Sequence, residues 1–202
     1  MNEIIKRLFI QNIANIITII GIILTFWLIV IIFNDPKQLW LILVFSAIIG
    51  LTDFFDGKAA RYFNIKSVFG GFLDRVRDKI FICSVLVVLA FYYNTENYGQ
   101  YFALALLTKL LVVIEVLMEL FQLSLMFYSL IKKINIYANQ YGRIKMFIQF
   151  FILIIWMIPL SLDKYFGTQI MRASIFLIDA LLIITIYYLS RSIHCYCKRC
   201  IT

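Results

Sequence analysis

The chain has 202 residues, of which 63% are hydrophobic and only 15% charged, and its mean hydropathy is +0.94. Water-soluble domains are roughly 45–50% apolar and about 25% charged, so this composition excludes an ordinary soluble domain and indicates that a lipid bilayer surrounds most of the chain. The net charge of +8 falls in short clusters between apolar runs, which favours contact with anionic lipid headgroups over binding to nucleic acid.

Six apolar runs approach the roughly 20 residues that a helix needs to cross a bilayer. With 2 Pro, 8 Gly and no internal repeat, residues 1–202 are predicted to form a single membrane domain. The first run is interpreted as a retained helix, because no small-residue cleavage site follows it. We predict an all-α integral membrane protein with six transmembrane helices, near residues 13–33, 38–57, 71–93, 101–127, 143–161 and 171–190.

The basic residues predict the orientation of these spans. Of the 19 Lys and Arg residues, Lys37, Lys164 and Arg172 fall on one side of the spans and Lys109 falls within the fourth. All the others fall on the opposite side, which the positive-inside rule assigns to the cytoplasm. Both termini are therefore predicted to be cytoplasmic, in a bacterial inner membrane or a eukaryotic organelle membrane.

Four aspartates mark the cytoplasmic ends of the second and third runs. Asp53 and Asp56 are three residues apart and Asp74 and Asp78 are four apart, so each pair shares a helix face. Like charges at these spacings repel, and carboxylates at a membrane boundary are costly to desolvate. Two carboxylates from each of two helices form an oxygen-rich cage that suits two Mg²⁺ or Mn²⁺ ions. Such ions could clamp the attacked phosphate and the leaving oxygen in a phosphoryl transfer.

Three small or basic residues extend this stretch. Gly57 leaves room for a bulky group close to the backbone, and Ala60 lies on the same face about one turn further on. Arg61 could pair with phosphate oxygens through its planar guanidinium. The alternative is that the aspartates are solvated or paired with nearby basic residues such as Arg75 and Arg77.

The stretch resembles the signature of the CDP-alcohol phosphatidyltransferases, D-x-x-D-G-x-x-A-R, eight residues, then G-x-x-x-D-x-x-x-D. Every signature position matches here: Asp53, Asp56, Gly57, Ala60, Arg61, Gly70, Asp74 and Asp78. The resemblance implies two Mg²⁺ or Mn²⁺ ions on the four aspartates and Asp78 as general base. It implies a CDP-linked lipid lying across Gly57 and Arg61, with Ser67 near its pyrophosphate. An acceptor alcohol would attack the phosphorus that bears the lipid, and CMP would leave. Family members commonly form homodimers.

Two further segments are similar to family elements. Asn15 and Thr18 resemble the N-x-x-T element that approaches the cytidine nucleotide, although family members often have Arg where this chain has Gly21. Gly142 to Lys145 resembles the G-K-x-K element of phosphatidylglycerophosphate synthases, with Arg143 in place of the first Lys. Arg143 and Lys145 would suit a phosphorylated acceptor, but positive-inside anchoring explains the same residues equally well.

Other polar residues allow two interpretations each. Arg77 lies about 60° around the helix from Asp74 and could meet an acceptor phosphate. Glu115 and Glu119, one turn apart on the fourth run, are either functional or a buried pair bonded to a neighbouring helix or to Lys109. Asp179 on the last run is similarly ambiguous. The C-terminal tail could bind Zn²⁺ or be acylated, but its thiols are most simply reduced and without a role: Cys195, Cys197 and Cys200.

The favoured hypothesis is a metal-dependent membrane transferase that makes phospholipid from CDP-diacylglycerol and a small polar alcohol, with glycerol 3-phosphate as the favoured acceptor. Inositol phosphate, serine, or phosphatidylglycerol in cardiolipin synthesis remain alternatives. A small cation transporter is a further alternative, but it would place charges near the midplane or on both sides of the membrane. A catalytically dead relative that acts as a scaffold is disfavoured by the intact aspartates.

Overall fold

The computed structural model describes residues 19–31, 34, 40–50, 68–93, 102–132, 139–166 and 169–201. Within these ranges the secondary structure is helical, and no strand occurs. The described residues form the α-helices α1 (Ile19–Ile31), α2 (Trp40–Gly50), α3 (Val68–Val88), α4 (Phe102–Ile131), α5 (Gln140–Phe166) and α6 (Gln169–Ile201). A π-helical turn, Leu89–Tyr93, continues α3. The chain forms two compact units, Met1–Phe81 and Ile82–Thr202.

The first unit contains α1, α2 and the first part of α3. Its helices bury one side, where Leu28, Ile42 and Ile49 are at most 3% exposed. Their other sides carry large apolar side chains in the open, such as Trp27 and Trp40. On α1 the Thr25 hydroxyl donates a 2.8 Å hydrogen bond to the backbone carbonyl of Gly21, which satisfies a polar group inside the apolar helix.

The second unit is built around the three long helices, with α6 packed against both α4 and α5. Its core is apolar and includes Trp156, Ile178 and Leu182, all fully buried. At 27 to 33 residues, these helices are about 40–50 Å long, which exceeds the ~30 Å of a bilayer core. Two segments among the described residues are long and apolar enough to cross a membrane, Gln140–Pro159 and Ser174–Arg199.

The outer surface of the second unit is also apolar. The side chains of Leu117, Phe147 and Phe176 are 60%, 75% and 64% exposed, and many other large apolar side chains are also exposed. Exposed apolar area on this scale is unfavourable in water and ordinary in lipid. The surface is therefore consistent with the predicted membrane location.

The prediction of an all-α fold is confirmed for the described residues. The predicted third, fourth and fifth spans agree with α3, α4 and α5 to within a few residues. The predicted sixth span lies within α6, which continues past residue 190 to Ile201 and includes the cysteine-rich tail. Six spans with both termini in the cytoplasm stay predictions.

Candidate active site and the buried polar cluster

Asp74 and Asp78, here called the α3 carboxylates, lie one turn apart near the start of α3, as their spacing predicts. Their side chains are 39% and 16% exposed, so part of each faces away from the protein. Gly70 belongs to the first turn of the same helix. The remaining residues predicted to bind metal or the CDP-lipid lie outside the described residues: Asn15, Thr18, Asp53, Asp56, Gly57, Ala60, Arg61 and Ser67.

Arg77 lies on the inner side of the α3 carboxylates and is only 1% exposed. Its Nη2 donates a 3.1 Å hydrogen bond to Asp74 Oδ1 and is 3.5 Å from Asp78 Oδ1. The guanidinium therefore neutralises part of the repulsion between the two carboxylates. Sequence analysis proposed Arg77 as an acceptor ligand, and that contact stays a prediction.

The space for the Arg77 side chain is provided by Gly21 on α1. A Cβ atom at position 21 would lie 2.8 Å from Nη1 and 2.9 Å from Cδ of Arg77, closer than such atoms approach in proteins. Arg77 is thus buried in the space that a side chain at position 21 would otherwise fill. The sequence pattern marked Gly21 as a departure from the family and Arg77 as a possible acceptor contact, but it did not predict that the two residues touch.

The described part of the predicted metal site has the chemistry that a hard divalent ion requires. The α3 carboxylates supply oxygen ligands on one helix face and are partly open to solvent. Among the described residues no group of three or more His, Cys, Asp or Glu side chains could hold a metal by itself. The other two predicted ligands, Asp53 and Asp56, lie outside those residues.

A second acidic pair, Glu115 and Glu119, here called the α4 carboxylates, is fully buried inside the second unit. Lys145 on α5 forms an ion pair with Glu119 and lies 3.5 Å from the amide oxygen of Gln122. The amide of Gln149 donates to both carboxylates, at 2.7 Å to Glu115 and 2.8 Å to Glu119. The alternative of a buried pair bonded to a neighbouring helix is confirmed.

The partners of the α4 carboxylates are on α5, not at Lys109. The Lys109 ammonium lies 5.7 Å from the centre of the Phe91 ring, a cation–π contact. Asp179 on α6 accepts a 2.8 Å hydrogen bond from the Thr108 hydroxyl of α4. Asp179 therefore links two helices, a role that sequence analysis did not name.

The Gly142 to Lys145 segment is anchored at both ends. Asn139 caps α5, because its Oδ1 accepts a 2.7 Å hydrogen bond from the Gly142 backbone N–H. The same Asn139 bonds to the hydroxyl and the carbonyl of Ser192 on α6, at 3.0 and 3.1 Å. Lys145 is 3% exposed and tied to Glu119, whereas Arg143 is exposed. Of the three predicted acceptor ligands, Arg77, Arg143 and Lys145, only Arg143 is exposed.

Sequence analysis also missed Gln122 and Gln149. The Gln122 amide donates a 2.8 Å hydrogen bond to the Ser192 hydroxyl, so the polar cluster joins α4, α5 and α6. A periodicity signal was present: Glu115, Glu119 and Gln122 lie on one face of α4, and Gln149 follows Lys145 by one turn. Polar residues aligned in this way on two apolar helices indicate an interhelical contact.

The tail of α6 carries free thiols. Cys195 and Cys197 are partly buried, and neither is in a disulfide. The nearby surface of α4 and α6 forms a shallow apolar groove of about 470 Å³ that includes Phe121 and His194. That the tail thiols are reduced stays a prediction.

The family model described as CDP-alcohol phosphatidyltransferase matches residues 11–187, which is most of the chain. The chain belongs to the CDP-alcohol phosphatidyltransferase family. The match includes all eight signature positions, and the α3 carboxylates are the third and fourth signature aspartates of this family member.

Several curated members of the family are similar to this chain, and each is named CDP-diacylglycerol--glycerol-3-phosphate 3-phosphatidyltransferase. The protein of Rickettsia bellii is 37% identical over 78 residues, or 39% of this chain and 40% of that protein. The protein of Pectobacterium atrosepticum is 43% identical over 60 residues, or 30% and 31%. The protein of Rickettsia felis is 27% identical over 142 residues, or 70% and 69%. The first two alignments thus span less than half of those relatives.

Proposed function

We propose that this chain transfers a phosphatidyl group from CDP-diacylglycerol to a small polar alcohol and releases CMP, with glycerol 3-phosphate as the favoured acceptor. The observation that carries the proposal is the pair of α3 carboxylates, one turn apart and partly open, at signature positions of the family. The printed names of the similar proteins from Rickettsia and Pectobacterium support the choice of donor and acceptor.

In this proposal the four signature aspartates hold two Mg²⁺ or Mn²⁺ ions: Asp53, Asp56, Asp74 and Asp78. When bound, such ions supply positive charge that screens the phosphate oxygens from the attacking oxygen. The chain contributes hard oxygen ligands, and the α3 carboxylates provide two of them from a single turn of helix. Arg77 holds these two carboxylates from the inner side.

Asp78 is the general base of the proposed reaction. Its carboxylate accepts the proton of the acceptor hydroxyl, and the oxygen of that hydroxyl attacks the phosphorus of the phosphatidyl group. A new oxygen–phosphorus bond forms while the bond between this phosphorus and the CMP oxygen breaks. CMP leaves with the electron pair of that bond. The lipid phosphate stays attached to its diacylglycerol throughout.

The donor would be bound by residues of the signature, with Arg61 paired to phosphate oxygens and Gly57 admitting them close to the backbone. The other residues proposed to line the CDP-lipid site are Asn15, Thr18, Ala60, Ser67 and Gly70. Arg143 is the proposed contact for an acceptor phosphate, because it is exposed at the start of α5. Lys145 would have to break its ion pair with Glu119 before it could bind the acceptor phosphate.

The proposed setting is a multi-pass membrane protein whose active site faces the cytoplasm and which forms a homodimer. The concentration of basic residues on one side of the predicted spans supports this orientation. The exposed apolar surface of α4 to α6 supports insertion into lipid.

The test is an assay of purified protein with CDP-diacylglycerol, Mg²⁺ or Mn²⁺, and a panel of acceptors. The panel comprises glycerol 3-phosphate, inositol phosphate, serine and phosphatidylglycerol. We expect CMP release and a matching lipid product with glycerol 3-phosphate. CMP release with another acceptor but not with glycerol 3-phosphate would identify that other compound as the acceptor. No CMP release with any acceptor would disprove the proposed activity.

A further inference from the structure

The position of Arg77 relative to the α3 carboxylates has a consequence for metal binding. Its guanidinium is buried at 1% exposure, while the carboxylates that it contacts are 39% and 16% exposed. A buried charge is stable only when it is paired, and here its pairs are the same Asp74 and Asp78 that the signature assigns to metal. A fixed positive charge therefore lies within about 3–4 Å of two proposed ligands.

Gly21 makes this arrangement possible from the opposite side. Because a Cβ atom at position 21 would come within 2.8 Å of Nη1 and 2.9 Å of Cδ, any larger residue there must displace the Arg77 side chain. Displacement would separate the guanidinium from Asp74, to which it donates at 3.1 Å. Family members often have Arg at the position of Gly21 on α1, but this chain does not. The guanidinium beside the α3 carboxylates belongs instead to Arg77 of α3.

We propose that Arg77 is the internal counter-ion of the α3 carboxylates and sets the metal affinity of the site. It holds both carboxylates before metal binds and opposes the entry of each divalent ion through its own positive charge. This inference rests on the proposed function. It makes Arg77 a positioning residue that acts through Asp74 and Asp78, and it assigns acceptor recognition to other residues.

The sign of the effect distinguishes this role from a purely structural one. A unit charge on the order of 5 Å from a divalent ion changes the binding constant by roughly tenfold even at the dielectric constant of water. Removing the charge should therefore tighten Mn²⁺ binding. Loss of a merely structural residue loosens the ligands and weakens metal binding, typically by about 10–100-fold.

The experiment measures Mn²⁺ binding by electron paramagnetic resonance, without CDP-lipid, on protein in phosphatidylcholine nanodiscs. Arg77→Met removes the charge and keeps much of the volume, and we expect Mn²⁺ to bind roughly tenfold more tightly. Arg77→Lys keeps a charge and should stay within about threefold of the wild type. Asp78→Asn identifies the Mn²⁺ signal that belongs to this site.

The decisive variant moves the charge between helices. In Gly21→Arg/Arg77→Ala the guanidinium comes from α1 into the space that Arg77 vacates, and we expect the Mn²⁺ affinity to return towards the wild-type value. Gly21→Ala alone should push Arg77 aside and tighten Mn²⁺ binding, which keeps the test open if Arg77→Met does not fold. Arg75→Met is the matched control, since Arg75 is two residues away on the same helix, and it should change affinity by less than about threefold.

Unchanged or weaker Mn²⁺ binding in folded Arg77→Met and Gly21→Ala would overturn the inference. A raised KM for glycerol 3-phosphate with unaltered Mn²⁺ affinity would also overturn it, because that pattern belongs to an acceptor ligand. The wild-type CMP assay reports separately on the proposed function. A wild type that binds Mn²⁺ but releases no CMP would disprove the activity, whatever the ranking of the variants.

Discussion

The α3 and α4 carboxylates have the same spacing along a helix but opposite surroundings. Asp74 and Asp78 are partly exposed and are held by an Arg of their own helix. Glu115 and Glu119 are fully buried and are held by Lys145 and Gln149 of a neighbouring helix. When the paired cation belongs to the same helix, the carboxylates keep an open side for a ligand. When the cation belongs to a neighbouring helix, the ion pair joins the two helices.

The comparison shows that spacing alone does not identify a ligand site in a membrane protein. In both pairs the carboxylates are four positions apart along the chain and have a cation close by. They differ in exposure and in the helix that supplies the cation, and neither property is visible in the spacing. The α3 pair is thus suited to chemistry and the α4 pair to holding α4 and α5 together.

The largest expected effect is on activity and tests the catalytic role of the α3 pair. Asp78→Asn should lower kcat for CMP release by about 10²–10⁴-fold, because an amide cannot accept the proton of the acceptor hydroxyl. Steady-state assays with protein in nanodiscs would measure it. Asp179→Asn is the matched control, since an Asn there can still accept from Thr108, and it should retain nearly wild-type turnover. A nearly normal kcat in Asp78→Asn would show that Asp78 is not the general base.

The second-largest expected effect is a decrease in the free energy of unfolding. Lys145→Met leaves Glu119 buried without its cation and should destabilise the protein by about 3–5 kcal/mol. Thermal unfolding of purified protein in one detergent would measure the change. The double variant Lys145→Met/Glu119→Gln should recover most of the loss, because a Gln at 119 can still accept the hydrogen bond from Gln149. If the double variant is stable but loses glycerol 3-phosphate binding, Lys145 is an acceptor ligand after all.

The smallest effect compares two glycines that lie near the two pairs. Gly142→Ala places a Cβ atom 2.9 Å from Asn139 Oδ1 and disturbs the cap of α5, which should cost about 1 kcal/mol. Gly71→Ala meets no atom within 4 Å and should be neutral or stabilising by up to about 1 kcal/mol. The same unfolding assay measures both. Equal effects at the two positions would contradict the close packing at Gly142.

Local patterns predicted the fold and part of the site well. The all-α fold follows from long apolar runs, and the shared face of the α3 carboxylates follows from helical periodicity. α6 continues beyond the predicted sixth span, because Arg191 and the tail lower the hydropathy without interrupting the helix. A bilayer boundary and a helix end are different properties, and only the first follows hydropathy.

The contacts that sequence analysis missed join residues far apart in the chain. Arg77 against Gly21 and Gln149 against Glu115 depend on which helices are neighbours, and helix order along the chain does not determine this. Lys145 illustrates the same limit. Its position beside Arg143 suggested a phosphate ligand, but its partner is an acid on α4.

The packing of Gly21 against Arg77 couples these two positions during evolution. A bulky residue at position 21 would displace the Arg77 side chain, because the two side chains would occupy the same volume. The effect of a change at either position therefore depends on the residue at the other. A comparison of relatives that scores each position alone would miss this dependence.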